Sequence, residues 1–327
     1  MPNAKITVKD VGKKIISEYS FVLSFILLVI IAASVNKNFF TWTNISNIFV
    51  QSSMIGLIAM GMSMVISAGQ IDISVGSQVA FIGGFGILVL NYTRSVWVML
   101  AFCCAVGIAL GAINGLLVTK GGMPSMIATM AMQSACRSVI NHFGSGGPFT
   151  VDSELYESFR MLAVGGIEIG PSFKIPYLMI IFIVFVIIFD NIMRNTKLGK
   201  HVYAVGSNEV SARLSGINVD LVKTLTFVIT GLMCGVAALI YASRMTAVAA
   251  ASAGSAYEMD AIAAGVVGGT SMSGGRGSIL GTVLGMLIIA VMNNLLNLMG
   301  VPPFLREAFK GIIVIGAVLL QKKEKAS

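Results

Sequence analysis

Charge is what this chain has least of. Of its 327 residues only 11% are charged and 56% are hydrophobic, and the mean hydropathy is +0.89. A soluble domain carries about 25% charged residues, so a water-soluble fold is excluded. Histidine is scarcer still, with His142 and His201 alone, and the spans drawn below set them on opposite sides. Zinc chemistry has almost nothing to work with. Cys103, Cys104, Cys136 and Cys234 fall in apolar runs with no CxxC or Cys/His spacing, which leaves them as small apolar side chains. No phosphate-binding P-loop is present: Gly12-Lys13 and Gly199-Lys200 lack the upstream glycine spacing and the following Ser/Thr. The chain is therefore no ATPase by itself, and no nucleophile–base set marks it as an enzyme. Strand-period alternation is missing, which excludes an outer-membrane barrel. The net charge of +8 is spread between apolar runs, so no nucleic-acid partner is expected.

What the chain has is apolar runs near the roughly 20 residues a helix needs to cross a bilayer. Ten spans can be drawn: 20–36, 48–68, 77–91, 95–118, 125–143, 174–192, 220–243, 257–271, 277–298 and 304–320. The N-terminus imitates a secretory signal, with Lys5, Lys9, Lys13 and Lys14 before an apolar run and Ala32-Ala33-Ser34. More spans follow, so a retained first helix is the simpler reading. With residues 1–19 in the cytoplasm, the inner segments hold Lys5, Lys9, Lys13, Lys14, Lys120, Arg194, Lys197, Lys200, Arg213, Lys223, Arg276, Lys322, Lys323 and Lys325. The outer ones hold Lys37, Arg94, Arg160, Lys174 and Arg244. That bias is the positive-inside pattern. Both termini, including the tail 321–327, are then cytoplasmic. The external loop 144–173 carries Asp152, Glu154, Glu157 and Glu168 and is too short for a domain. It reads as a lid or rim on the membrane surface. The single membrane domain covers 20–320.

Glycine is arranged in ladders. Span four holds Gly107, Gly111 and Gly115; span nine holds Gly277, Gly281 and Gly285. Each is a double GxxxG, which lets helix backbones approach closely. They lie five spans apart, and a five-span repeat must be inverted, a common transporter design. The expected fold is all-α, with ten helices as an inverted five-plus-five repeat.

Polar breaks interrupt the apolar runs. Gly69-Gln70-Ile71-Asp72-Ile73-Ser74-Val75-Gly76-Ser77 places a carboxylate at membrane depth, where it costs on the order of 2.5–3.5 kcal/mol. Two roles are open for Asp72: capping the following helix, or lining a polar pathway together with Gln70 and Ser74. Asp260, at the start of the short eighth span, has the same ambiguity. Glu258 lies two residues from it and faces another side of any helix. Span eight runs into Gly268-Gly269-Thr270-Ser271-Met272-Ser273-Gly274-Gly275, the mark of a broken or half helix. Asn293 and Asn297 share a helix face and either bond neighbouring helices or line a passage for a polyhydroxyl solute.

The segment 193–219 is the most specific. Ser207 or Asn208 is an N-cap, the residues through Leu214 form a short helix, and Gly216 stops it. A helix held at the membrane face by two spans can act as a lever for a motor domain.

On these residues the chain resembles the permease subunits of bacterial ribose/xylose/arabinose/galactose-type sugar ABC importers. The resemblance rests on Asn38-Phe39-Phe40-Thr41 with Asn44-Ile45, Gly69 to Ser77, Gly199 to Gly216, Tyr257-Glu258-Met259-Asp260 through Gly277, and Asn293-Asn294 with Leu296-Asn297-Leu298. It implies an inner-membrane homodimer, a cytoplasmic ATP-binding subunit that carries ATP and Mg, and an extracytoplasmic binding protein that delivers the sugar. No cofactor is then bound by this chain. Ser207, Asn208, Glu209, Ala212, Arg213 and Gly216 become the coupling helix that the ATPase engages. The chain departs from the family in having Gln70 where glycine is common, and Ala250-Ala251 where Gln-Pro is common. Those departures leave the cargo open to a nucleoside, a polyol or an amino acid. An ion-coupled secondary transporter would instead use Asp72 and Asp260 as coupling carboxylates.

Overall fold

The computed structural model describes residues 20–302, apart from 146 and 170–172, with isolated positions to 312. The tenth expected span and both terminal segments lie outside the described residues, or nearly so. A helix occupies each of the first nine expected spans: α1 Ser20–Val35, α2 Trp42–Ser67, α3 Val75–Thr93, α4 Val96–Thr119, α5 Ser125–Gly144, α7 Tyr177–Asn195, α10 Val219–Met245, α11 Tyr257–Val267 and α12 Ile279–Leu298. The external loop adds α6 Ser153–Val164, and the connector adds α8 Lys197–Ser207 and α9 Glu209–Leu214. Among the described residues, α2, α3, α4, α7, α10 and α12 are long and apolar enough to cross a membrane. α11 is a half-length helix, as the glycine run after it suggested.

The expectation of an all-α chain needs a small correction. Four three-residue strands form two antiparallel pairs: Pro148–Thr150 (β1) with Ala247–Ala249 (β4), and Gly166–Glu168 (β2) with Lys174–Pro176 (β3). The second pair is why the sixth span begins at Tyr177 rather than 174. Likewise α2 starts six residues early, because the Thr41 hydroxyl accepts the Asn44 N–H and caps it.

α2 is the axis. Every residue from Gly56 to Ser67 is buried, as expected of a helix apolar on all faces. Around it the chain forms two tight units. In the first, α4 and α10 meet backbone to backbone: Gly107 abuts the Gly231 carbonyl, Gly111 the Phe227 carbonyl and Gly235 the Cys103 carbonyl, leaving no room for a Cβ. The Thr119 and Thr224 hydroxyls, 3.2 Å apart, close one end of that seam. In the second, Gly281 and Gly285 of α12 abut the Gly268 and Ala264 carbonyls at the end of α11. Hydroxyls of Ser63, Thr270 and Thr282 join α2, the 268–277 turn and α12 at 3.0–3.1 Å, and paired amides of Asn44 and Asn294 lock the other end. The two glycine ladders thus serve different neighbours. Cys103, Cys136 and Cys234 are buried and Cys104 is half-buried, all free thiols.

The bundle has two ends. The strand end gathers β1–β4, Arg94 with Asp152 at 3.0 Å, and both tryptophans: Trp42, whose Nε1 donates to the Lys174 carbonyl and whose ring stacks on Phe173, and exposed Trp97. The connector end gathers the 68–74, 120–124, 196–218 and 268–277 segments.

A Gly111→Leu substitution forces α4 away from α10. Overpacking costs about 1–3 kcal/mol, so thermal unfolding in detergent should occur several degrees lower. Ile113→Leu, on the exposed side of α4, should leave the midpoint unchanged.

Candidate functional site

Three places in the fold concentrate polar chemistry. The first is where helices break. After α2 ends, residues 70–73 run in extended form along α5. The Ser125 and Thr129 hydroxyls accept the Ile71 and Ile73 N–H groups, so this stretch of backbone is satisfied without water. Asp72 is fully buried. Its carboxylate accepts the Ser74 N–H and hydroxyl, and the Asn114 amide at 3.4 Å. Ser74 Oγ in turn accepts from Gln78 and Asn114 at 2.7 and 2.9 Å. The Asp72, Ser74, Gln78 and Asn114 side chains are all enclosed. Asp72 makes no cap bond to α3, whose N-cap Ser74 lacks a side-chain cap; its carboxylate instead orders the turn just before that helix and reaches Asn114 of α4. Gln70 stands at the half-buried mouth of this break.

From the strand end a second irregular segment, 246–256, descends beside α3 through β4. Gly254 meets Gly76 backbone to backbone, about 22 Å along α3 from Asn91. α11 then begins and runs on toward the connector end. Two broken helices therefore start close together deep in the bundle and point in opposite directions. Asp260 is buried on α11 and shares a cavity of about 50 Å³ with Gln51, Ser52 and Asn293. At roughly 10–15 Å³ of such space per water, the cavity has room for a few waters. Asn297, one turn beyond Asn293, is exposed.

The second place is the connector. Asn208 caps α9 by accepting the Ser211 N–H at 2.9 Å, and Gly216 ends it at φ +81°. Ala212 is buried beneath the helix, and Ser207 is exposed ahead of it. Glu209 and Arg213 do not point freely into solvent. Glu209 binds Lys223 at 2.7 Å, and Arg213 binds Asp220 at 3.0 Å. Lys120 at the end of α4 reaches Asp220 at 3.6 Å. Single exposed pairs are worth ~0–1 kcal/mol, but this network fastens α9 to the ends of both α4 and α10. Two apolar residues stand clear: Val210 is 69% exposed and Leu214 84%, one turn apart on one face, with exposed Ser211 and Ser215 beside them.

The third place is a knot of inner turns. Gly206 abuts the Ser67 carbonyl and the Gly275 N–H, Gly274 abuts Gly206, and the Gly275 N–H donates to the Ser67 carbonyl at 2.9 Å. The Tyr203 hydroxyl donates to the Gly277 carbonyl at 2.8 Å. Burial pushes that phenol's pKa up from its ordinary value. Arg276 is exposed at the rim. α8 is thus stitched to α2 and to the turn between α11 and α12.

Residues 44–318 match the family model described as "Branched-chain amino acid transport system / permease component". This chain belongs to that permease family. The Bacillus subtilis (strain 168) ribose import permease protein is 40% identical over 306 residues, 93% of this chain and 92% of that one. The Escherichia coli K12 ribose import permease protein is 36% identical over 313 residues, 94% of each chain. The L-arabinose transport system permease protein of the same strain is 32% identical over 314 residues, 96% of this chain and 93% of that one. No solved structure matches significantly. The permease is accordingly a multi-pass membrane protein, and its chemistry is conduction rather than catalysis.

Several residues of this permease escaped sequence reasoning. Gln78 and Asn114 complete the Asp72 cluster; each is one amide in a glycine- and alanine-rich helix. Asp220, Lys223 and Lys120 complete the connector brace. Val210 and Leu214 were hidden by the charged residues beside them.

Asp72→Asn keeps an oxygen for the Ser74 donors, whereas Asp72→Ala strands them at about 1–3 kcal/mol. Detergent melting should therefore show Asp72→Ala clearly destabilised and Asp72→Asn near wild type. A stable Asp72→Asn protein without transport would assign the charge itself a working role.

Proposed function

We propose that the chain is the membrane-spanning subunit of a binding-protein-dependent importer for a sugar of the ribose/arabinose class. It works as a pair of copies in the bacterial inner membrane. The carrying observation is likeness, along more than nine-tenths of its length, to permeases named for ribose and arabinose. ATP is hydrolysed on a cytoplasmic partner subunit, and an extracytoplasmic binding protein presents the sugar. The connector end is cytoplasmic, in keeping with its lysines and arginines, and both termini lie on that side of ten spans. The five-plus-five inverted repeat is supported by the opposed broken helices that meet at Gly76 and Gly254. Helix starts facing one another at depth are a transporter arrangement.

Within this reading α9 is the coupling helix. Its exposed apolar pair, Val210 and Leu214, fits a hydrophobic groove on the ATPase. Glu209, Arg213, Asp220 and Lys120 carry the push to the welded α4–α10 unit. Ser207, Asn208, Ala212 and Gly216 shape the helix rather than touch the partner. Gln70, Asp72, Ser74, Asp260, Asn293 and Asn297 support the pathway by holding its walls.

The complete importer reconstituted in liposomes should accumulate ribose or arabinose only with ATP and the binding protein. Uphill uptake by this chain alone, abolished by a protonophore, would overturn the reading. Val210→Glu with Leu214→Glu should abolish uptake and release the ATPase on purification, while membrane insertion is retained. Arg213→Gln should retain the ATPase yet lower uptake per ATP hydrolysed. Equal behaviour of the two variants would count against separate docking and brace roles.

A further inference from the structure

Exposed surface at membrane depth falls into two kinds. α7 presents Ile181, Ile183, Val184, Ile187 and Ile188, the chemistry of a lipid face. α5 differs. It has 20 residues, enough to cross, but it is not apolar enough to count among the spans. Gln133, Arg137 and Asn141 recur every four residues on it, half-buried, with Ser134 and Ser138 exposed alongside. Beside this stripe run exposed Ser252 and half-buried Glu258. Arg137 Nη1 donates to the Ala250 carbonyl at 2.8 Å, which aims the guanidinium at the 246–256 segment. Glu258 Oε2 lies over Gly76, where a Cβ would come within 2.7 Å of it. The two charges fall within electrostatic range of one another, yet no ion pair closes between them among the described residues.

A charged pair and an amide stripe are expensive against hydrocarbon and mark a pathway by default. Among the described residues the Asp72 cluster is enclosed, and the cavity at Asp260 is small, about 50 Å³. We infer that Arg137 and Glu258 form a weak station for a polyhydroxylated solute, on a passage that follows the α5 stripe along the outside of each copy. A fork of N–H donors opposite a carboxylate suits hydroxyl groups, which both donate and accept. This rests on the importer reading, in which a second copy covers the open side.

The test uses the complete importer in liposomes with radiolabelled ribose. Arg137→Gln and Glu258→Gln should each cut uptake about tenfold or more while binding-protein-stimulated ATP hydrolysis persists, and Arg137→Lys should recover part of the uptake. Independently, cysteines at Ser134 and Ser252 should react with a membrane-impermeant maleimide, and a cysteine at Ile187 should not. Uptake within about twofold of wild type in both glutamine variants would overturn the inference. So would Ser134→Cys and Ser252→Cys proteins as inert as Ile187→Cys. A wild-type complex that moves no ribose would instead defeat the importer reading, and the maleimide arm would still decide whether the stripe faces water.

Discussion

A polypeptide inside a bilayer must satisfy its backbone without water, and this chain breaks two helices at depth while obeying that rule. At residues 70–73 the freed N–H groups of Ile71 and Ile73 go to Ser125 and Thr129. At 246–256 the backbone pairs with β1 and receives the Arg137 guanidinium. Each repair brings the chain up against α5. That helix is therefore more polar than its neighbours, having become a scaffold for segments that cannot satisfy themselves. The half-length of α11, the buried carboxylate of Asp72 and the Gly76–Gly254 contact all follow from the same pair of breaks.

The glycine seams decide what moves with what. α4 and α10 touch through backbone, where any relative shift produces a clash, so they behave as one body. α2, α11 and α12 form another, held by three hydroxyls and an amide pair. α9 is fixed by its charge network to the first body, whereas α8 is stitched to the second through Gly206 and Tyr203. The connector is therefore attached to both bodies, through two adjoining helices with different partners.

Local signals were the legible ones. The α9 helix could be placed to within a residue, with Ser207 or Asn208 as its start and Gly216 as its stop. A helix stood in each of the first nine apolar runs, and the close approach at Gly107, Gly111 and Gly115 followed from spacing. Partnership was not legible. Spacing marks a face but not its neighbour, so nothing local tells that Gly281 and Gly285 pack on α11 while the first ladder packs on α10. Glu209 and Arg213 attracted attention by their charge, but their partners at Asp220 and Lys223 lie across a turn. The exposed pair beside them reads as ordinary helix filler. The strands were missed because three residues carry too little pattern.

Trp42 and Trp97 both lie at the strand end, and no tryptophan serves the connector end. Indole rings settle at the headgroup level, while lysine and arginine stems slide and snorkel. The two ends of the bundle therefore offer a bilayer different anchors: broad rings that hold one depth at the strand end, and long basic stems that adjust their depth at the other.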